Sequence, residues 1–107
     1  MELLDFTPES YLQELIEGQR TALVEFWAPW CVYCRRLELP MQQIAGEHGE
    51  LLCGRVNVDE LPEQAAELQI DTVPTLVLFR KGKAAARLVG PDSKAKIEAF
   101  LRENSGE

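Results

Sequence analysis

Short apolar runs of strand length alternate with segments of helical period along this chain, and that alternation limits what it can fold into more than any other feature. "TALVEFWA" (21–28), "LLCGRVNV" (51–58), "TLVLFR" (75–80) and "KAAARLV" (83–89) read as strands, and Lys81-Gly82 reads as the turn joining the last two. "FTPESYLQELIE" reads as a first helix. Thr7 is its N-cap, Pro8 takes the first helical position, Phe6 and Tyr11 stand at the spacing of a hydrophobic staple, Leu12, Leu15 and Ile16 form an apolar face, and Gly18 ends it. From Cys31 to about Glu47, the residues Leu37, Met41, Ile44 and Ala45 recur at helical spacing, with a kink expected where Pro40 removes a backbone hydrogen bond. Residues 62–69, opened by Pro62, and 93–104, capped by Ser93 with Ile97, Phe100 and Leu101 on one face, supply two more helices. A short strand at 2–6 can precede the first helix. The order predicts an α/β fold: a central mixed sheet of four to five strands flanked by about four helices, with right-handed crossovers and an antiparallel hairpin at one edge.

At 107 residues the chain has the size of one domain, so residues 1–107 are expected to form a single unit with a loose tail from about 103. No apolar run approaches the roughly 20 residues of a membrane span. The first residues, "MELLDFTPESY", carry neither a basic stretch nor an apolar core, so they do not read as a secretory signal and a cytoplasmic location is expected. A net charge of −7 repels phosphate backbones, which excludes nucleic acid as the expected partner.

The chemistry concentrates in "FWAPWCVYCRR" (26–36), where Cys31 and Cys34 stand three positions apart between a strand and a helix. The unpaired N–H groups of a helix start favour a thiolate. An ordinary thiol of pKa about 8.5 is only about 3% ionised at pH 7, and lowering that pKa by about 1.5 makes it half ionised for about 2 kcal/mol. Arg35 and Arg36 can add to the positive field, and Cys34 lies on the side of the helix from which it can close a disulfide. A structural zinc site needs four ligands, and beyond the pair there are only Cys53 and His48. Two-coordinate copper(I) capture by the pair stays open on chemical grounds. Cys53, inside a strand, reads as a small buried hydrophobe, and His48, alone near a helix end, as a solvated surface residue. Two inert core thiols would leave unexplained why a Pro-Trp-Cys turn delivers both sulfurs to a helix start.

"ALVEFWAPWCVYC" resembles the strand and active-site turn of the thioredoxin family, and "RVNVDE", "TVPTLVLFRKG" and "RLVGPDSKAKIEAFL" resemble, in order, its third strand, its cis-proline strand with hairpin turn, and its last strand with terminal helix. The resemblance runs from about Thr7 to Leu101 and implies a thioredoxin fold and a thiol–disulfide oxidoreductase. It implies that Cys31 attacks a substrate disulfide and that Cys34 resolves the mixed disulfide. Glu25, anomalous in an apolar strand, then matches the family's buried acid that takes the proton of the resolving cysteine, and Arg55 its basic neighbour. Val73-Pro74-Thr75 matches the cis-proline loop facing Cys31, and Trp30, Val32, Tyr33, Thr72, Val73, Pro74, Gly90 and Pro91 form the expected contact surface for a substrate. Trp27 is expected to pack rather than to contact substrate.

The resemblance further implies disulfide-containing protein substrates, a thioredoxin-reductase-like flavoenzyme as partner, a monomer, and no bound cofactor or metal beyond a reversible Cys31–Cys34 disulfide. Three departures stand against the family pattern. Val32-Tyr33 replaces Gly-Pro between the cysteines, which frees a backbone N–H and points toward a more oxidising pair, an oxidase or isomerase, or a glutathione-dependent carrier. Pro40 falls one residue later than usual, and Glu25 stands where Asp is usual.

Overall fold

The first element shows how closely local chemistry sets structure. In the computed structural model, which describes residues 2–105, Thr7 Oγ1 accepts from the N–H of Ser10 (3.0 Å) and Ser10 Oγ accepts from the N–H of Thr7 (2.9 Å). This reciprocal cap starts α1 (Pro8–Ser10), and Phe6 packs edge-on to Tyr11 with ring centroids 6.3 Å apart, as the staple spacing requires. Beyond Ser10 the chain continues as a π-helical segment, Tyr11–Glu17, whose turn is wider than that of an α-helix. The expected face of Leu12, Leu15 and Ile16 is therefore corrected. Tyr11 and Leu15 enter the core, while Leu12 is 48% and Ile16 36% exposed. Gly18 caps the segment in a right-handed conformation, and the left-handed residue is the next one, Gln19 (φ 55°). Glycine is needed at 18 for space, since a Cβ there would lie 2.7 Å from the carbonyl oxygen of Glu14.

Five strands form one sheet in the order β1-β3-β2-β4-β5: β1 (Leu4–Asp5), β2 (Ala22–Trp27), β3 (Leu52–Asn57), β4 (Thr75–Arg80) and β5 (Lys83–Val89). The first three in that order run parallel, and β4 and β5 run antiparallel to their neighbours, so the sheet is mixed as expected. The strand anticipated at 2–6 is reduced to the two residues of β1. Lys81 and Gly82 both have positive φ (52° and 80°), the geometry that lets a two-residue turn follow the twist of the β4–β5 hairpin.

The long helix expected from Cys31 to Glu47 is two helices, α2 (Val32–Arg36) and α3 (Glu38–Glu47), parted at Leu37. The break falls one turn before Pro40 because the proline ring has no N–H and crowds the carbonyl four residues back. Helices α4 (Pro62–Glu67) and α5 (Lys94–Glu103) complete the set. After α5, Asn104 Nδ2 donates to the carbonyl of Phe100 (2.8 Å) and Ser105 Oγ to that of Arg102 (3.0 Å). The remainder of the expected tail lies outside the described residues.

Alternation along the strands divides the core. Ala22, Val24 and Phe26 of β2 face a cluster with Phe6, Tyr11, Leu15, Leu61 and Ala65. Leu23 faces the other side, with Leu37, Met41 and Ile44 from the Leu37–α3 stretch and Ile97 and Phe100 from α5. Since β2 is flanked by β3 and β4 and both faces are covered, every side chain from Ala22 to Phe26 is buried, Glu25 included. Because β4 runs antiparallel to β2, the C-terminal end of β2 and the N-terminal end of β4 meet, with Phe26 opposite Thr75. This pairing carries the Cys31 turn and the Val73-Pro74 loop to the same end of the sheet.

Candidate active site

Cys31 and Cys34 form a disulfide across the first turn of α2, with Cα atoms 5.3 Å apart. Cys31 is the N-cap: its Sγ accepts from the N–H of Cys34 (3.1 Å), and its own N–H donates to the carbonyl of Ala28 (3.1 Å), which fixes the turn. Cys31 is 6% exposed and Cys34 is fully buried, so of the two only Cys31 reaches solvent. Their cluster is closed by Ala28, with Trp27, Val58 and Val73 packed against it.

The Val73–Pro74 peptide is cis, and Cys31 Sγ lies 3.6 Å from the carbonyl oxygen of Val73. Two bonds brace this loop: Thr75 Oγ1 donates to the carbonyl of Thr72 (2.6 Å), and the N–H of Gly90 to that of Pro74 (2.8 Å). Thr72 and Gly90 are exposed, Val73 is half-buried, and Pro74 and Pro91 are buried. Around the sulfurs, Trp30, Val32 and Tyr33 are 67%, 58% and 65% exposed, an apolar rim on an otherwise charged chain. Arg35 Nη2 donates to the carbonyl of Pro29 (3.1 Å), and the Arg36 guanidinium stands over the Tyr33 ring at 5.3 Å.

Two residues before Trp27, on the same strand, lies a buried polar group. Glu25 is fully buried on β2, and Arg55 stands beside it on β3 in register, its Nε 3.6 Å from Glu25 Oε1. At that distance the two attract as an ion pair without a hydrogen bond. Both oxygens of Glu25, Arg55 Nε and Trp27 Nε1 are buried without a hydrogen-bond partner. The Arg55 guanidinium also stacks on the Trp27 ring at 4.0 Å. Burial pushes the Glu25 carboxyl up to about 7; Arg55 pulls the other way, and Glu38 adds a smaller upward push. Glu25 thus points inward rather than to solvent, and Arg55 is not a free surface arginine.

Two residues behave differently from one another against their sequence reading. Cys53 is a buried free thiol, as expected of it, and burial pushes it up to about 11. His48 is not a solvated residue, because α3 and α5 come together around it. Its Nδ1 faces Glu50 (3.4 Å) and its Nε2 faces Glu98 on α5 (3.1 Å). A cavity of about 460 Å³ beside it, lined by Thr21, Leu78, Arg80 and Leu101 among others, lies at the end of the sheet opposite the cysteines, since Thr21 precedes β2 and the disulfide follows it. The residues that sequence reasoning passed over are Trp27 as the platform for Arg55 and Arg36 as the partner of Tyr33. A cation spaced three residues from an aromatic on one helix was the available signal for the second.

A sheet of this order, with a disulfide at the end of β2 and a cis-proline loop opposite it, defines a thiol–disulfide oxidoreductase of the thioredoxin class. The family model named Thioredoxin matches residues 2–103, and the chain belongs to that family. It is 34% identical over 96 residues to a thioredoxin of Alicyclobacillus acidocaldarius, covering 89% of this chain and 91% of that one. It is 35% identical over 100 residues to a thioredoxin of Acidithiobacillus ferridurans, covering 92% and 93%. It is also 34% identical over 103 residues to a bifunctional thioredoxin reductase/thioredoxin of Mycobacterium leprae, covering 95% of this chain and 22% of that longer one. Among the described residues no helix is long and apolar enough to cross a membrane.

Proposed function

We propose that the chain, acting as a single monomeric domain in the cytoplasm, reduces disulfides in protein substrates and is itself reduced by a thioredoxin-reductase-like flavoenzyme, with no bound cofactor or metal. The observation that carries this reading is the unequal setting of the two cysteines, Cys31 in limited reach of solvent beside the Val73 carbonyl and Cys34 sealed from it. The fused reductase in one relative supports a partner of that kind.

In the reduced protein, Cys31 is the attacking thiolate, stabilised by the N–H of Cys34. It bonds to one sulfur of the substrate disulfide, the substrate S–S bond breaks, and the departing thiolate takes a proton from water. Cys34 then loses its proton, attacks Cys31 Sγ, and releases the second substrate thiol. Two electrons pass to the substrate, and the protein keeps the disulfide seen here. Glu25 is the base for the Cys34 proton, because a carboxyl titrating near 7 with both oxygens unpartnered can accept and return a proton at neutral pH. Arg55 keeps that carboxyl from rising further, and Arg35 fixes the Pro29 carbonyl in the turn. Trp30, Val32, Tyr33, Thr72, Val73, Pro74 and Gly90 receive the extended substrate segment.

The test is reduction of insulin disulfides by the chemically reduced protein. Wild type should precipitate insulin, Cys31→Ser should not, and Cys34→Ser should accumulate mixed disulfides; activity indifferent to both changes would sink the reading.

A further inference from the structure

The rim of the disulfide holds two groups that the redox chemistry does not use: the phenol ring of Tyr33 and the guanidinium of Arg36. They stand three residues apart on α2, with the guanidinium carbon 5.3 Å from the ring centroid, within the range of a cation–π contact. Arg35, next to it, is turned back to the Pro29 carbonyl. Among the described residues neither arginine pairs with a carboxylate, although the chain carries 18 acidic residues against 11 basic ones. The exposed apolar rim of Trp30, Val32 and Tyr33 is thus bordered by two guanidiniums that have no counter-charge of their own.

A freely moving surface arginine gains little from pairing, since holding its long side chain still offsets most of the attraction. Arg36 is already held by the Tyr33 ring, so less freedom is lost when a carboxylate arrives, and the planar fork accepts it in a defined direction. We propose that Arg36, oriented by Tyr33, selects protein disulfides flanked by an acidic residue. The carboxylate pairs with the guanidinium while the neighbouring apolar side chains of the segment lie on Trp30 and Val32. This inference rests on the reading of the chain as a protein-disulfide reductase.

The experiment follows the reaction of the chemically reduced full-length protein with matched disulfide peptides that carry Glu, Gln or Lys beside the reacting half-cystine, with glutathione disulfide in parallel. At low ionic strength the Glu peptide should react about 3- to 10-fold faster than the Lys peptide, as one favourable and one unfavourable exposed charge pair imply. The ratio should shrink as salt is raised. Arg36→Glu should invert the order, Tyr33→Phe should keep it, and Tyr33→Leu should bring the ratio closer to one. Equal rates for the three peptides with wild type, or an order unmoved by Arg36→Glu, overturns the selection. Equal behaviour of the Phe and Leu variants removes Tyr33 from it. A faster reaction with glutathione disulfide than with the Glu peptide makes a small anionic disulfide the occupant and overturns the protein one. If none of the three peptides is reduced, the reductase reading itself has failed, an outcome distinct from a lost charge preference.

Discussion

Replacing Glu25 with glutamine removes one ionisable group from the centre of the sheet and should change how stability depends on pH. The carboxyl titrates near 4.5 in the unfolded chain and near 7 in the fold, burial being the larger cause and Arg55 the opposing one. Between those values the folded protein holds a proton that the unfolded chain has released, so stability falls as pH rises through this window. At about 1.4 kcal/mol per pH unit, the loss on going from about pH 4.5 to about pH 8 is about 3 kcal/mol. An amide in place of the carboxyl cannot titrate, so the variant should lack this loss. Urea unfolding of the oxidised protein, wild type against Glu25→Gln, measures the difference at each pH, and any fixed effect of the amide cancels when two pH values are compared. The variant should gain about 3 kcal/mol relative to wild type across the window, with most of the gain below pH 7. Two parallel stability profiles would refute the buried, high-titrating carboxyl and, with it, its part in moving the Cys34 proton.

The same group should respond to its neighbour: Arg55→Met keeps a long apolar stem against Trp27 but removes the cation, so the midpoint of the wild-type pH dependence should move above 7. Gly54→Ala should destabilise by about 1–3 kcal/mol in thermal or urea unfolding, because the new methyl meets the Phe6 ring. Leu15→Ala, in the fully buried position of the π segment, should lose about 2–5 kcal/mol, while Leu12→Ala should lose far less; equal losses would mean that the α-helical face was the right one. In the native reduced protein a thiol reagent should titrate Cys31 but leave the fully buried Cys34 and Cys53 untouched until the chain unfolds.

The sheet, its hairpin and the dithiol turn were legible because each rests on local chemistry: apolar runs of strand length, a turn that needs positive φ, a cap at Ser93 that does accept from Lys96. Three things were not. The π geometry after Ser10 carries no period distinct from an ordinary helix over seven residues, so the spacing alone makes Tyr11 a staple and puts Leu12 in the core. Pro40 announces a disturbance but not its place, since the clash acts on the preceding turn and parts the helix at Leu37. The surroundings of His48 depend on how α3 and α5 pack, which is a contact between residues fifty apart in sequence. In the site, the inward direction of Glu25 follows from β2 having a neighbour on each side, which no single strand reveals. The family resemblance supplied that direction before the sheet did.

The two tryptophans, three residues apart in the chain, sit in opposite surroundings. Trp27 lies under a guanidinium and against the cysteine cluster, and Trp30 is two-thirds in water. The protein therefore carries two optical reporters with separate duties. Light emitted from Trp27 is exposed to quenching by the adjoining S–S bond and should brighten on reduction, whereas emission from Trp30 should shift to the blue when a substrate covers the rim. Following both wavelengths in one mixing experiment would time docking and electron transfer independently, with no label attached.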